Sequence, residues 1–472
     1  MSILHRKFAP MAIKPRIAKG TRDFSASEIY RRNYLKQVLS ESFQLFGFEP
    51  LETPSFELAE TLMGKYGDEG DRLIFKILNS GDKLKKADLE ALENQKLGVF
   101  ARSLSEKALR YDLTVPFARY VAQNRNELTF PFRRYQIQPV WRADRPQHGR
   151  FQEFFQCDAD MVGPESLWQE VEMLQLYDFV FDRLKLEGVA LQINHRAILA
   201  GLAAHMGAED KFVDLTVALD KIDKIGLERV QEELQSKGFS AAACSELAQV
   251  LSIEGTASEK LQQLENILRQ QPQALQGIQD LQWIVAQLEA TGLKTVKLQF
   301  NLSLARGLNY YTGMIVEVAP PATVKMGSIG GGGRYADLTE TFGLSQMSGI
   351  GISFGFDRIY LVMESLGLFP DHLGSAQQPL FFTHLDEVSA TFAHAVIRQL
   401  RDRNIPCILY PQAAKLKKQL SYAHNRKLHS VVLYGEEEQS KGVFILKQMD
   451  SGEQQEFAVE DAVQILSERN HL

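Results

Sequence analysis

Cysteine is scarce in this chain. Cys157, Cys244 and Cys407 are the only three in 472 residues, far apart and without a CxxC pair. They cannot staple a domain, so the sequence fits a reducing cytoplasm. Long apolar runs are missing too: no stretch of about 18 apolar residues offers a membrane span. The N-terminal segment MSILHRKFAPMAIKPRIAKG is too broken to hold the apolar region of a signal peptide. Neither charge sign dominates, since 53 Lys+Arg against 59 Asp+Glu leave a net charge of −6. A polycationic coat for nucleic acid is thereby excluded, although a local basic groove is not. The ten histidines form no HExxH and no His/Cys pattern, which gives a zinc site little footing. GxGxxG and GxxxxGK[ST] are absent, so any nucleotide is held without a Rossmann or P-loop cradle.

What is present is the composition of a folded protein, 44% hydrophobic and 24% charged, long enough for about three domains. Ser25 and Glu28 have the spacing of a capping box. Leu35, Val38, Leu39, Phe43 and Phe46 then recur at helical intervals up to Gly47. Residues 48–58, FEPLETPSFEL, read as one strand whose prolines suit an edge or an interface. Phe132–Trp141 and Phe154–Val162 read as antiparallel strands joined by a long polar loop, RADRPQHGRFQE. Between 196 and 300 glycine thins out and Leu, Ala, Gln and Glu take over, which predicts a helical insert. Strand-like sequence resumes at VKLQFNLSLARGLNYYTGMIVEV, and MSGIGISFGFDRIYLVME reads as a buried strand entering a helix. A join near 369–380 precedes alternating strands and helices, the pattern of a small α/β domain with a largely parallel sheet.

Several segments carry chemistry. Arg133, Arg134, Arg142, Arg145 and Arg150 lie close together with one acid among them, Asp144. Guanidinium groups bind phosphate bidentately, and Phe151 and Phe154 beside them suit a stacked base. The same stretch also reads as a solvated basic loop. Gly330–Gly333 read either as a flexible turn or as backbone open to close approach by a small ligand. ARGLNYYTG (305–313) sets Arg306 beside Tyr310 and Tyr311, for which aromatic core packing with a solvated arginine is the plainer reading. KLKKQLSYAHNRK (415–427) puts five basic residues and no acid on a predicted helix. That is either a face for an RNA backbone or an ordinary charged helix face. His148 reads as a loop histidine and Cys157 as a buried thiol.

Taken together, these segments resemble the histidyl-tRNA synthetase family of class II aminoacyl-tRNA synthetases, from KGTRDF (19–24) to the C-terminal module. FEPLETPSFE is similar to class II motif 1, VWRADRPQHGRFQEF to motif 2 and GIGISFGFDRIYLV to motif 3. LRYDLTVPFARYVA (109–122) and ARGLNYYTG resemble the histidine-specific segments, and INHR (193–196) resembles the entry to the family's insertion domain. The resemblance implies an α+β fold: an antiparallel class II sheet core flanked by helices, a helical insertion, and a C-terminal α/β anticodon-binding domain. The expected bounds are 1–195 and 301–372 for the catalytic core, 196–300 for the insertion and 376–472 for the anticodon-binding domain.

The activity implied is formation of histidyl-adenylate and pyrophosphate from L-histidine and ATP, then transfer of histidine to the 3′-terminal adenosine of tRNA(His). By the resemblance, Arg142 holds the ATP α-phosphate, Asp144 the adenine edge and Arg150 the γ-phosphate. Phe154 stacks on adenine, with Arg358 on its other face and near the γ-phosphate. Asp112, Thr114, Gln156 and Asp160 resemble the residues that take the substrate amino group and imidazole, and Tyr310 and Tyr311 those that close that pocket. Arg306 resembles the arginine that bridges substrate carboxylate and α-phosphate, filling a place other class II enzymes give to a metal. No protein-held metal is implied, and Mg2+ accompanies ATP. Arg145 and Gln147 are implied contacts for the tRNA acceptor end. A homodimer, a cytoplasmic location and no membrane partner complete the expectation. Asn309 stands where the family more often has aspartate, which keeps hydrogen bonding and loses charge.

Two neighbouring families are weighed against this. Synthetase-like regulatory subunits of an ATP phosphoribosyltransferase usually lack the anticodon-binding module and the ARGLxYYTG arginine, and this sequence retains both. The histidine-specific segments separate it from glycyl, prolyl and threonyl types. No editing domain stands between the motifs. None is needed where buried polar groups would be left unpaired by a substrate lacking the imidazole.

Overall fold

The computed structural model describes residues 14–64, 67–305, 311–335, 340–344, 347–371, 373 and 378–469. Two units divide it, Arg31–Phe369 making up most of one and Pro370–Leu472 most of the other. In chain order the first unit has strands β1 (Glu49–Pro50), β2 (Phe56–Leu58), β3 (Lys76–Ile77), β4 (Lys107–Leu109), β5 (Phe132–Trp141) and β6 (Glu153–Gly163). There follow β7 (Ala190–His195), β8 (Lys297–Phe300), β9 (Tyr311–Ala319), β10 (Gly330–Tyr335) and β11 (Ser348–Phe354). Eight of them form one sheet in the order β1-β5-β6-β11-β10-β9-β7-β8, while β2, β4 and β3 form a small one. Neighbours in the large sheet are antiparallel except at its two edges, where β1 runs parallel to β5 and β8 to β7.

Helices fill one face of that sheet. Helix α1 (Ala26–Leu45) begins at the predicted capping box, with Ser25 N donating to Glu28 Oε2 at 2.7 Å and Glu28 N to Ser25 Oγ at 3.4 Å. Its stripe of Leu35, Leu39 and Phe43 is fully buried. Helix α2 (Thr114–Gln123) lies on the other face, where Phe117 meets Phe132 of β5, while α3 (Trp168–Arg183) follows β6 and buries Leu174, Tyr177 and Phe181. The Phe43 ring meets Phe48, Tyr135 and Phe354, and Tyr177 meets Phe354 with centroids 4.6 Å apart, so α1 and α3 share one side. Each such side chain, fully buried, stabilises by about 1.5–3 kcal/mol. The alternation of β6 then decides what faces the other side. Cys157, Ala159 and Met161 enter this core, so Gln156, Asp158 and Asp160 must point away from it. The regular structure between β7 and β8 is all helical, from α4 (Arg196–His205) to α5 (Pro272–Thr291). Finally β11 passes through Gly355 into α6 (Phe356–Leu366).

Two sequence expectations are corrected here. Residues 48–58 do not form one strand: Glu49–Pro50 pairs with β5, and Phe56–Leu58 pairs with β4 in the small sheet. Proline cannot donate to a ladder, and the carbonyls of Thr53 and Pro54 accept instead from the buried Arg110 guanidinium, at 2.6 and 3.2 Å. Nor is the glycine run a turn. Gly330–Tyr335 is a strand paired on both sides, with β9 and β11. A Cβ on Gly332 would sit 2.1 Å from the Gly351 carbonyl oxygen. On β11, a Cβ at Gly349 would sit 2.2 Å from the Tyr335 ring and one at Gly351 2.1 Å from Asp160 Oδ1. These glycines leave the room that Tyr335 and Asp160 fill.

The second unit carries β12 (Leu380–Phe382), β13 (Cys407–Leu409), β14 (Ser430–Leu433), β15 (Val443–Gln448) and β16 (Gln454–Ala458), in the order β13-β12-β14-β15-β16. Only β13, β12 and β14 are parallel; β15 and β16 return antiparallel, so the sheet is less parallel than the sequence pattern implies. β16 carries too little apolar sequence to announce itself, its first three residues being exposed. Helix α7 (Glu387–Asp402) covers the sheet with Val396, Ile397 and Leu400. Helix α8 (Leu416–Asn425) is docked by the buried Gln419, whose Nε2 donates to the His384 and Ala414 carbonyls, both at 2.7 Å. That docking leaves Lys415, Lys417, Lys418, Arg426 and Lys427 exposed. Among the described residues, no helix is long and apolar enough to cross a membrane.

Candidate active site

The opposite face of the large sheet bounds a cavity of about 320 Å³. Asp112, Thr114, Arg142, Asp144, Arg150, Phe154, Gln156, Asp160, Tyr311 and Arg358 all line it. Arg145 and Gln147 do not; they are exposed in the loop between β5 and β6. Arg306, Asn309 and Tyr310 fall outside the described residues.

The hairpin delivers the first set. Arg142 N donates to Gln152 O at 2.9 Å, which extends the β5–β6 ladder by one rung. Its guanidinium is then fixed from three sides. Nε donates to Tyr111 O at 3.0 Å, Nη2 donates to Gln156 Oε1 at 3.4 Å, and the Tyr111 ring lies beneath, 4.3 Å from centroid to Cζ. Farther out, Gln147 and Arg150 exchange backbone bonds of 3.2 and 2.9 Å around Gly149, whose φ of +69° is open to glycine at no steric cost. The Gly149 carbonyl accepts from Arg358 Nε at 2.9 Å and Ser328 O from Arg358 Nη1 at 2.6 Å. The first turn of α6 is thus tied to the hairpin loop. Arg150 stands 3.9 Å from Asp144. Three guanidinium groups therefore face one cavity, already oriented, and beside them the Phe154 ring offers a flat apolar surface.

The arginine cluster read from sequence is narrower than it looked. Arg134 is fully buried, ion-paired to Asp160 at 2.9 Å and set 4.2 Å from the Phe117 ring centroid. Arg133 pairs with Glu172 and donates to Phe46 O at 3.1 Å. Both sit within β5, where neighbouring elements use up their charge.

Acids make up the second set. Asp112 Oδ1 accepts from Val115 N at 3.1 Å at the start of α2. Asp160 Oδ1 accepts from the Tyr335 hydroxyl at 2.9 Å. Burial pushes the Asp160 carboxyl up, against the pull of Arg134. Asp158 is pushed up to about 7, first by burial and then by Asp160 and Asp112, with Arg134 and the Ser353 hydroxyl opposing. Both groups hold their protons more tightly in the fold than in the unfolded chain. Their contribution to stability is therefore full below the ordinary value of 3.8 and, for Asp158, lost as pH rises through about 7. Denaturant unfolding of the unliganded protein is expected to show stability falling from about pH 5 to about pH 8, with a shallower fall in Asp158→Asn. An identical slope in the variant would contradict the assignment to Asp158.

Sequence reasoning missed Asp158, Ser328, Tyr335 and Asp357, all of which line the cavity. For Asp158 the signal was there: in FFQCDADMV it shares the face of Gln156 and Asp160 at period two. Asp357 accepts from Phe155 N at 2.9 Å and is ion-paired with Arg32 of α1, an arrangement that no local pattern announces.

Comparison with known proteins gives one answer over both units. The profile of the histidyl-tRNA synthetase family matches residues 20–359, and that of the anticodon binding domain matches residues 382–469. The histidine–tRNA ligase of Christiangramia forsetii is 58% identical over 94% of this chain and 97% of its own length. The Flavobacterium johnsoniae histidine–tRNA ligase is 52% identical over the same shares. The crystal structure of histidyl-tRNA synthetase from Nostoc sp. PCC 7120 superposes with a TM-score of 0.76 at 27% identity, covering 97% of this chain and all of that one.

Proposed function

The chain belongs to the histidyl-tRNA synthetase family, whose members activate histidine with ATP and transfer it to tRNA(His), and we propose that its residues divide that work as follows. Arg142 holds the α-phosphate, Arg150 and Arg358 the γ-phosphate end, Asp144 the adenine edge and Phe154 the adenine face. Asp112, Thr114, Gln156, Asp160, Tyr310 and Tyr311 take the amino group and ring of histidine. Arg306 bridges the substrate carboxylate and the α-phosphate. Mg2+ enters as the ATP complex. The carboxylate oxygen attacks the α-phosphorus, a P–O bond forms, and the bond to the leaving pyrophosphate breaks in line. Two anions must meet, so the protein's task is positioning and charge neutralisation, for which fixed guanidinium groups suffice without a general base. The hydroxyl of the terminal adenosine then displaces AMP from the mixed anhydride.

One observation carries this reading: Arg142 and Gln156, given to opposite substrates, touch at 3.4 Å in one cavity. ATP–pyrophosphate exchange with each standard amino acid tests it. Exchange restricted to histidine is expected; exchange absent with histidine would sink it.

The remaining assignments belong to the same proposal. Residues 196–300 form the insertion and 376–472 the anticodon-binding domain, Arg145 and Gln147 meet the acceptor end, segment 48–58 serves a homodimer, and the enzyme works in the cytoplasm. The exposed face of α8 binds the RNA backbone. Replacing Lys415, Lys417 and Lys418 together by alanine is expected to weaken tRNA(His) charging about tenfold or more and to flatten its salt dependence. Histidine-dependent exchange should stay at the wild-type rate, and a parallel fall in both activities would remove the RNA role from this face.

A further inference from the structure

Asp158 is a buried acid for which the division of labour above has no task. It lies on β6 midway between Gln156 and Asp160, on the same face, and lines the cavity with them. Asp160, which shares the histidine pocket, already holds two partners, Arg134 and the Tyr335 hydroxyl, both at 2.9 Å. Asp158 is only 3% exposed, and its hydrogen-bond partners among the described residues, Gln156 and Ser353, are neutral. Gln156 Nε2 donates to its Oδ2 at 3.2 Å, and the Ser353 hydroxyl hydrogen-bonds it across the β6–β11 register. A carboxylate offers about four acceptor positions, and burying one without a strong donor is costly. A donor arriving in the cavity therefore finds an acceptor ready for it.

Position along the strand says which donor. Arg142 touches Gln156, and Gln156 touches Asp158. Burial deepens along the same path, from the half-buried Gln156 to Asp158 at 3% and Asp160 at 2% exposure. The substrate carboxylate must lie at the Arg142 end, where it meets the α-phosphate. The far end of the substrate, its ring, then lies at the deep end. We infer that Asp158 is a specificity-determining residue of the amino-acid pocket, accepting a ring N–H of the substrate imidazole. By the same contact it orients Gln156, and Gln156 in turn faces Arg142. This rests on the histidine reading of the pocket.

The test is ATP–pyrophosphate exchange by the full chain with histidine and with β-(2-thiazolyl)alanine, whose ring has similar size and no N–H. Wild type should favour histidine by about a hundredfold or more in kcat/KM. In Asp158→Asn the amide can donate to a ring nitrogen, so that preference should shrink about tenfold or more, mainly through KM for histidine, with KM for ATP unmoved. Asp158→Ser, which removes the carboxylate without restoring a donor of that reach, should weaken histidine binding too. An unchanged preference in Asp158→Asn would overturn the inference. So would a loss confined to kcat with KM and preference held, which would leave Asp158 as a positioning residue for Gln156 alone. Failure of both variants to fold would make the residue structural and overturn it as well. Wild-type exchange absent with histidine would remove the pocket reading itself, and this inference with it.

Discussion

Arg142→Ala is expected to slow histidine-dependent ATP–pyrophosphate exchange by about two to three orders of magnitude, the usual cost of removing one preorganised donor from a developing anion. The reasoning starts from how the guanidinium is held. Backbone and side-chain bonds at 3.0 and 3.4 Å and the Tyr111 ring fix it before any substrate arrives, so no reorganisation is needed when charge builds on the α-phosphate. Arg142 lies at the cavity wall rather than in the core, and the melting temperature of the variant should stay close to wild type. Arg142→Lys should recover only a small part of the rate, because an ammonium cannot reach Tyr111 O, Gln156 Oε1 and a phosphate together. Stopped-flow or exchange rates for Arg142→Ala within about tenfold of wild type would take the α-phosphate role away from this residue.

Glu170→Ala carries the largest expected effect on stability, about 3–5 kcal/mol. Glu170 and Arg334 are 1% and 3% exposed and ion-paired. Arg334 Nη2 also donates to Glu170 Oε2 at 2.6 Å, Gln169 Oε1 at 3.0 Å and Ser166 O at 3.2 Å, and Nη1 to Ser348 Oγ at 2.7 Å. One guanidinium thereby links β10, α3 and β11 beneath the cavity. Taking away the carboxylate leaves a buried cation among neutral dipoles, a penalty comparable to a sizeable share of a domain's whole stability. Urea midpoints for wild type and variant measure it. Replacing both partners with apolar residues of similar volume should recover most of the loss, whereas a single-variant change under about 1 kcal/mol would mean water reaches the pair.

What could be read in advance, and what could not, sorts by the range of the forces involved. Helix α1 and the β5–β6 hairpin were legible because their signals are local: a capping box, a helical stripe, two apolar alternations around a polar loop. The cavity arginines were legible as a group, but not which of them face it. Nothing in FRRYQIQPVWRADR shows that Arg134 belongs to Asp160 and Arg142 to the cavity; only the partners decide. The glycine strand failed for the same reason. Glycine weakens a strand locally, and the cause of Gly349 and Gly351 is the bulk of Tyr335 and Asp160 on neighbouring strands. Segment 48–58 was cut in two by Arg110, which comes about fifty residues later in the chain. The period-two position of Asp158 beside Gln156 and Asp160 is legible in QCDAD, but its burial is not, because β11 supplies the neighbouring strand.

The glycines of β10 and β11, of which Gly330, Gly331 and Gly351 line the cavity, limit how the enzyme can change over generations. A position with no side chain offers nothing to trim, so every first mutational step there adds bulk. At Gly332 the added carbon collides with backbone that has no rotamer to escape into, and at Gly351 it collides with a carboxylate already committed to Tyr335. Variation in this pocket is therefore funnelled to its rim and to the acids of β6, where a substitution can exchange one group for another. On this sheet the acids of β6 can change first, and the glycines beside them last.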